Sequence, residues 1–230
     1  MTALMPSPVS PLIVKYLGHC AYGLVWDAMR EYTIRRNPLA PDELWLIEHP
    51  AVFTQGLAGK AEHVLCAGNI PVVQTDRGGQ VTYHGPGQLV AYTLIDLGRR
   101  RLGIRDFVYA LEDVILAVLA RFEITGERRP GAPGVYVKGK KIAALGLRVK
   151  NGRSYHGLSL NVNMDLEPFS RIDPCGFSGL ETTQMSAFPA CAAIGLDKVG
   201  QHLVTAFCTR LGYVLPDNAA PQAAASHKIG

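Results

Sequence analysis

The residue in this chain best suited to covalent chemistry is Cys175, in the sequence Asp173-Pro174-Cys175-Gly176-Phe177-Ser178-Gly179. Proline restricts the backbone on one side of the thiol and glycine opens space on the other, so the sequence predicts a thiol presented on a loop. A cysteine becomes nucleophilic when an electropositive setting stabilises its thiolate. The sequence around Cys175 is therefore compatible with two interpretations: a reactive thiol, and an inert, partly buried one.

Lys141 is the second candidate, because it opens the small and apolar run Lys141-Ile142-Ala143-Ala144-Leu145-Gly146. A lysine at such an edge is ordinarily a solvated strand end. If its amine instead enters a dry pocket, desolvation lowers its pKa and suits it to proton transfer, whereas a nearby thiolate raises that pKa. The sequence leaves the sign of the shift open.

A third candidate is the glycine-rich stretch Arg77-Gly78-Gly79-Gln80-Val81-Thr82-Tyr83-His84-Gly85-Pro86-Gly87-Gln88. It predicts a tight glycine turn, a short strand and a second turn, whose freed backbone amides can face a ligand. An ordinary hairpin connection and a nucleic-acid-binding RGG segment are the alternatives. RGG segments are repeated and disordered, whereas this stretch is single and lies between strand-like residues 71–75 and 89–97, which favours the wall of a pocket.

The histidines and the remaining cysteines carry weaker signals. His49, His84 and His156 stand beside turn residues and are interpreted as structural or pocket-lining, and no His-x-x-x-His spacing predicts a metal site. The five cysteines are widely spaced and include no Cys-x-x-Cys, so they predict neither a disulfide framework nor a zinc site. Free thiols in a reducing cytosol fit this pattern best.

Periodicity predicts the elements that position these residues. Apolar residues at helical spacing predict helices over 21–36, 104–122 and 196–211. Shorter apolar runs predict strands over 12–17, 44–48, 71–75, 89–97, 134–137, 141–149 and 154–164. Residues 49–56 are predicted to form a connection lining the same pocket as the glycine-rich stretch. Residues 165–186 form a long irregular region, which in a compact domain is usually functional or mobile.

Length and composition predict one globular domain. With 230 residues and 48% hydrophobic content, the chain can bury one substantial core, assigned to residues 12–215, with mobile tails at 1–11 and 216–230. A net charge of +4 is too weak for a dedicated nucleic-acid binder but is compatible with an acidic protein partner. No apolar run approaches the ~20 residues of a membrane span, so we expect a soluble, cytoplasmic protein.

One basic cluster stands out locally. Arg99, Arg100 and Arg101 are consecutive, and Arg105 follows near the start of a predicted helix. The cluster is interpreted either as a solvated loop or as a docking patch for an acidic partner.

Four motifs, in this order, give the chain a resemblance to the lipoyl(octanoyl) transferase family. They are the glycine-rich stretch, Lys141-Ile142-Ala143-Ala144-Leu145-Gly146, His156-Gly157-Leu158-Ser159-Leu160-Asn161-Val162-Asn163 and Pro174-Cys175-Gly176. The resemblance spans most of the chain. It implies the α/β (α+β) fold of biotin and lipoate protein ligases, a mixed β-sheet flanked by helices in a single domain, which agrees with the interleaved strands and three helices predicted above.

The resemblance also implies roles for individual residues. Cys175 would be the nucleophile that carries the octanoyl (or lipoyl) group as a thioester, and Lys141 its acid/base partner. The sequence departs from the family at neither position. The implied acyl-binding residues are Arg77, Gly78, Gly79, Gln80, Val81, Thr82, Tyr83, His84, Ala144, Leu145, Gly146, Gly157, Leu158 and Ser159. No metal and no other cofactor are implied.

The implied partners follow from the same family. Octanoyl acyl carrier protein would be the donor, and lipoyl domains of 2-oxoacid dehydrogenase complexes and the glycine cleavage H protein the acceptors, with neither nucleic acid nor membrane involved. The alternative is an ATP-dependent lipoate or biotin protein ligase, which shares the fold and a comparable lysine but needs no nucleophilic cysteine. A non-enzymatic carrier-protein or nucleic-acid binder is a third class, which leaves Cys175 and Lys141 without a role.

Overall fold

A computed structural model describes residues 12–173 and 180–215 of this chain. Within these ranges the backbone forms two β-sheets and three α-helices. The helices are α1 (Tyr22–Arg35), α2 (Ile104–Arg121) and α3 (Leu196–Leu211). The strands are β1 (Leu12–His19), β2 (Asp42–Glu48), β3 (Val52–Gln55), β4 (Val72–Gln74), β5 (Val81–His84), β6 (Gln88–Leu94), β7 (Glu127–Arg129), β8 (Ala132–Val137), β9 (Lys140–Lys150) and β10 (Arg153–Asn161).

The main sheet has seven strands in the order β1-β2-β6-β10-β9-β8-β7. β1 and β2 are parallel, and the other neighbours are antiparallel, so the sheet is mixed. The small sheet has the order β4-β3-β5. The mixed sheet flanked by helices that the sequence predicts is confirmed.

Helices cover both faces of the main sheet. Side chains alternate between the faces along each strand, so in β2 Leu44 packs in the core beneath α2 and α3, whereas Trp45 packs in the core beneath α1. The apolar stripes predicted for α2 and α3 are buried as expected. α3 ends at Leu211, and the next residue, Gly212, has a φ of +70°, the left-handed C-cap conformation that glycine adopts without strain.

The predicted helices are confirmed to within one residue at each end, because each has a continuous apolar stripe. Two strand assignments differ. Residues 52–55, predicted as part of a connection, form β3, which pairs with β5 of the glycine-rich stretch. β7 escapes prediction because its residues, Glu127–Arg129, are all exposed and charged or polar, and its place at the sheet edge comes from pairing with β8.

Other predictions fall partly outside the described residues. The tails at 1–11 and 216–230 lie outside them, as do residues 174–179 of the irregular region. The described parts of that region contain short 3₁₀ turns, Glu167–Arg171 and Met185–Ala187. Among the described helices, none has the length and apolar character that crossing a membrane requires.

Candidate active site

A cavity lies where α1, the glycine-rich stretch and strands β6, β9 and β10 come together. Most of its wall is apolar or backbone, with a few polar side chains. The lining residues are Tyr22, Arg77, Gly79, Gln80, Val81, Thr82, His84, Val90, Tyr92, Lys141, Ala143, Ala144, Leu145, Gly146, His156, Gly157, Leu158, Ser159, Asn161, Phe169 and Thr182. Three of the four motifs singled out in the sequence therefore meet in one cavity.

Most of the predicted site residues line this cavity, but Gly78 and Tyr83 do not. The Gly78 amide donates a hydrogen bond of 2.8 Å to the Leu147 carbonyl, so this glycine docks the turn onto β9. The Tyr83 ring points into the core of the small sheet, where its centre lies 5.5 Å from that of Phe53 and 5.4 Å from that of Phe169. Cys175 lies outside the described residues.

Lys141 is buried in the cavity wall, with 5% of its surface exposed. Lys141 is therefore not a solvated strand end, which was one of the two possibilities that its sequence left open. Its backbone N–H donates to the Glu181 carbonyl at 2.8 Å, and its carbonyl accepts from the Thr183 N–H at 2.9 Å. These bonds tie β9 to the segment that follows residues 174–179. The Lys141 amine lies 5.6 Å from the ring centre of Tyr136.

The floor of the cavity is made of small residues on two paired strands. Gly157 of β10 lies opposite Gly146 of β9, and Ser159 lies opposite Ala144. Gly146 also leaves room for Arg77, because a Cβ atom there would be 3.1 Å from the Arg77 Cδ. This row of small residues, Ala144, Gly146, Gly157 and Ser159, is called the trough below.

Arg77 holds the glycine-rich turn in place. Its buried guanidinium donates to the Thr54 hydroxyl of β3, at 3.1 Å from Nε and 3.0 Å from Nη2, and to the Gly78 carbonyl at 3.0 Å. The planar guanidinium makes several directed bonds at once, which a lysine cannot do. Residues 49–56 thus support the cavity wall from behind instead of lining it as predicted.

Two histidines, His84 in the cavity wall and His49 beside it, are held neutral. His49 Nδ1–H donates to the Cys20 carbonyl at 2.7 Å, so its Nε2 accepts from the Tyr92 hydroxyl at 2.7 Å. His84 Nδ1–H donates to Oε1 of Gln88 at 2.7 Å. Burial lowers the pKa of His49 to about 4 and that of His84 to about 3. Both rings therefore offer an unprotonated Nε2.

A chain of hydrogen bonds connects His84 to Lys141. The Gln88 amide donates to Oδ1 of Asn161 at 2.9 Å, and the Asn161 amide donates to the Thr183 carbonyl at 3.0 Å. The Thr183 N–H in turn donates to Lys141, as described above. Because both amides are buried and bonded, they fix the two walls of the cavity against each other.

Asp76 joins three elements at the other end of β10. It accepts hydrogen bonds from Nε2 of His156 at 3.1 Å, from Nε1 of Trp26 at 2.9 Å and from the Tyr155 hydroxyl. Burial alone would raise the pKa of Asp76, but these three donors outweigh it and hold that pKa below its usual range. Burial lowers the pKa of His156 although Asp76 opposes the shift. His156 has a φ of +59°, a backbone conformation uncommon outside glycine.

Several lining residues were not predicted from the sequence. Tyr22, Tyr92 and Asn161 line the cavity although none was assigned to the site. Asn161 belongs to the motif that begins at His156, so its position in that motif was an available signal. Tyr22 and Tyr92 belong to the buried faces of α1 and β6, where a tyrosine looks like any other core residue.

The predicted docking patch comprises Arg99, Arg100, Arg101 and Arg105. Arg99 is used inside the protein, where its Nη2 lies 2.6 Å from the buried Asp42 carboxylate. The Arg100 guanidinium lies 4.0 Å from the ring centre of Tyr213. Arg101 and Arg105 are exposed. Arg101 and Arg105 are therefore the two arginines that a docking patch would present to solvent, and docking itself stays a prediction.

Within the described ranges, no group of three or more histidine, cysteine, aspartate or glutamate residues is arranged to hold a metal ion. The described cysteines, Cys20, Cys66, Cys191 and Cys208, are free thiols. Burial raises the pKa of Cys208 to about 11, as expected for an unreactive thiol inside a helix core.

Known proteins resemble this chain in sequence over most of its length. The family model of the lipoyl protein ligase A/B catalytic domain matches residues 25–208. An octanoyltransferase from Vibrio vulnificus (strain YJ016) is 57% identical over 202 residues, which cover 88% of this chain and 92% of that protein. An octanoyltransferase from Cellvibrio japonicus is 58% identical over 198 residues, which cover 86% and 91%.

Solved structures share the fold at low sequence identity. A lipoate-protein ligase A bound with ATP has a TM-score of 0.72 and 14% identity, covering 94% of this chain and 90% of that one. A bi-partite lipoate protein ligase from Thermoplasma acidophilum also has a TM-score of 0.72 at 14% identity, with 93% and 88% covered. Biotin protein ligase from Aquifex aeolicus, in complex with biotin and ATP, has a TM-score of 0.55 at 12% identity, with 88% and 70% covered.

Proposed function

Because this chain belongs to the lipoyl protein ligase A/B catalytic domain family, as its motifs predict, we propose that it is an acyltransferase that moves octanoyl groups in protein lipoylation. The donor is octanoyl acyl carrier protein and the acceptor is a lysine of a lipoyl domain. The high identity to octanoyltransferases over most of the chain supports this reaction. The observation that carries it is the buried Lys141 in a cavity that also has a trough of small residues.

Cys175 is proposed to meet Lys141 at this cavity. Phe169 and Thr182, described residues before and after positions 174–179, both line the cavity. Lys141 itself pairs with Thr182 as a β-bridge, so the chain that follows positions 174–179 runs beside this lysine. The connection between Asp173 and Leu180 is short, which favours a thiol within reach of the amine.

In the first half-reaction the Cys175 sulfur attacks the carbonyl carbon of the octanoyl thioester. The bond from that carbon to the sulfur of the donor breaks, and the octanoyl group becomes a thioester of Cys175. Lys141 takes the proton from the attacking thiol and returns it to the departing thiolate of the donor. One thioester replaces another, so the exchange is close to neutral in free energy and needs no ATP.

In the second half-reaction the amine of the acceptor lysine attacks the same carbon. An amide bond forms and the Cys175 sulfur leaves as a thiolate. Lys141, neutral at this stage, takes a proton from the attacking amine and passes it to the thiolate, which restores the resting enzyme. The two half-reactions share one acyl-enzyme and predict ping-pong kinetics.

The acyl chain is proposed to lie along the trough formed by Ala144, Gly146, Gly157 and Ser159. Each methylene buried there contributes about 0.8 kcal/mol to binding. The backbone of the glycine-rich stretch covers the trough, and its amides are candidate donors to the carbonyl oxygen during attack.

An ATP-dependent ligase is the second candidate, because the fold is shared with ligases. Fold similarity at this identity does not carry the activity. Transfer without ATP separates the two functions. Two details stay predictions. One is that the acceptors are the lipoyl domains of 2-oxoacid dehydrogenase complexes and the glycine cleavage H protein, and the other is that the protein works in the cytoplasm.

Intact-protein mass spectrometry after mixing the protein with octanoyl acyl carrier protein, without ATP, tests the proposal. We expect one octanoyl adduct, labile to hydroxylamine and absent from Cys175→Ser, which disappears when a lipoyl domain is added. Cys66→Ser removes an exposed thiol and is the matched control. A thioester that persists in Cys175→Ser, or acylation that requires ATP, would contradict the assignment.

A further inference from the structure

The side chain of Lys141 occupies space that only a glycine leaves open. Gly134 of β8 has a φ of +134°, and a Cβ atom there would lie 2.6 Å from Lys141 Cε and 3.4 Å from Lys141 Nζ. The same Cβ would be 2.7 Å from the Ala143 carbonyl oxygen. Any larger residue at this position would therefore push the lysine stem or the backbone of β9 aside.

Gly134 is in turn held by a buried carboxylate that has no place in the proposed chemistry. Glu112 lies among the apolar side chains of α2 with 4% of its surface exposed, and it does not line the cavity. Its Oε1 accepts from the Gly134 N–H at 2.9 Å, and its Oε2 accepts from Nε of Arg128 at 2.9 Å. A buried carboxylate is costly unless it is hydrogen-bonded, so this one fixes a particular backbone group.

We propose that Glu112 and Gly134 are positioning residues for Lys141. Glu112 anchors the Gly134 peptide to α2, and the missing side chain of Gly134 forms the slot in which the lysine stem lies. The inference rests on the proposed function, since it takes the Lys141 amine as the group that moves protons. The bonds from Lys141 to Glu181 and Thr183 hold its backbone, and the slot at Gly134 adds the space that the stem of its side chain occupies.

The substitution Gly134→Ala tests the slot, with Gly131→Ala as its matched control. Gly131 also has a positive φ, +75°, but a Cβ atom there would meet nothing within 4 Å. Both variants carry backbone strain, and only the first displaces Lys141. Single-turnover loading from octanoyl acyl carrier protein should slow by roughly 10²-fold in Gly134→Ala, the cost of a misplacement near 1 Å. The pH dependence of loading by Gly134→Ala should shift to higher pH. Gly131→Ala should load at the wild-type rate.

The substitution Glu112→Ala tests whether Glu112 anchors the Gly134 peptide, and Asp113→Ala is its matched control. Both carboxylates bind Arg128, but only Glu112 also bonds Gly134. We expect slower loading in Glu112→Ala and unchanged loading in Asp113→Ala. Melting temperatures of all four variants show whether a loss of loading merely follows a loss of stability.

A double-mutant cycle gives the decisive readout. In a Lys141→Ala background there is no stem to displace and only the contact with the Ala143 carbonyl remains, so adding Gly134→Ala should slow loading by less than about tenfold, well short of its effect in the wild type. A similar hundredfold loss in that background, or wild-type loading by Gly134→Ala alone, overturns the positioning role and leaves the proposed function intact. Wild-type loading by Lys141→Ala would overturn both the proton-transfer role and the positioning role.

Discussion

His156 and Asp76 form a hydrogen bond of 3.1 Å although 80 positions separate them in the sequence. The bond ties β10 to the residue immediately before the glycine-rich stretch. Trp26 of α1 donates to the same carboxylate, so one side chain joins a helix, a strand and the turn that covers the cavity.

Replacing that carboxylate should loosen all three elements. Asp76→Asn loses a charged acceptor, and we expect the free energy of unfolding at pH 7 to fall by about 2 kcal/mol. Because the pKa of Asp76 is depressed in the folded state, its contribution exists above its unfolded pKa of 3.8 and is lost as pH falls through the folded pKa. The gap between variant and wild type should therefore shrink in acid.

Urea unfolding at several pH values measures this effect. Asp27→Asn is the matched control, because Asp27 lies on α1 but is 74% exposed in a loose ion pair. It should change the free energy of unfolding by less than about 0.5 kcal/mol. An equal loss in both variants would contradict the role of Asp76 as a junction.

The neutral histidines predict a loss of stability in mild acid. The pKa values of His49, about 4, and His84, about 3, lie below the ordinary 6.5, so below pH 6.5 the unfolded chain binds more protons than the folded one. The free energy of unfolding should decrease by about 1.4 kcal/mol per pH unit for each histidine as pH falls from 6.5 toward these values.

Denaturation between pH 7.5 and 5 checks this slope. The double variant His49→Gln with His84→Gln has no group to protonate at either site, so its slope should be flatter than that of the wild type. His202→Gln, a partly exposed ring on α3, is the control. A slope that is identical in the double variant would show that other groups cause the acid sensitivity.

Lys141 should affect both half-reactions, and two substitutions separate its duties. Lys141→Met keeps the apolar stem but removes the amine, so acyl loading should fall by roughly 10² to 10⁴, with partial recovery at high pH where Cys175 ionises unaided. Lys141→Arg keeps the charge but cannot act as a base near neutral pH, so it should load better than Met and still transfer poorly. Single-turnover loading and transfer, measured separately across pH, test both. Near wild-type rates in Lys141→Met would contradict the role of Lys141 as a base, and His84 would then be the next candidate.

The trough of small residues predicts how chain length is accommodated. Ala144→Leu adds three carbon atoms to the floor, where an octanoyl group would lie. We expect octanoyl loading to fall at least about tenfold while butyryl loading changes less, because overpacking penalises the longer chain more. Loading from a series of acyl thioesters measures the profile. Ala120→Leu, on the exposed side of α2, should leave it unchanged, and an unchanged profile in Ala144→Leu would remove the acyl chain from this trough.

The arginine cluster predicts two different phenotypes. Arg101→Glu with Arg105→Glu should raise the apparent KM for acyl carrier protein and flatten its salt dependence, while a small acyl thioester is processed normally. Arg99→Ala should instead lower the free energy of unfolding by about 2 kcal/mol, because it breaks a charged hydrogen bond to the buried Asp42. Steady-state kinetics at two salt concentrations and urea unfolding separate the effects. An unchanged KM in the double reversal would exclude the exposed pair from docking.

The sequence by itself determined the local elements and the family. The apolar stripes of α1, α2 and α3 predict three helices to within a residue, because a stripe at helical spacing depends only on neighbouring positions. The glycines at 79 and 87 predict the turns on either side of β5, and both have positive φ. The four ordered motifs were enough to predict the family to which the chain belongs.

Only the tertiary structure decided which of these residues work together. β3 and β7 are strands because a partner strand pairs with them, and pairing across distant positions leaves no periodic signal in a segment of three or four residues. The burial of Lys141, the slot at Gly134 and the junction at Asp76 depend in the same way on contacts between distant segments. Arg99 and Arg101 look alike in the sequence, yet only the fold places a buried carboxylate beside the first of them.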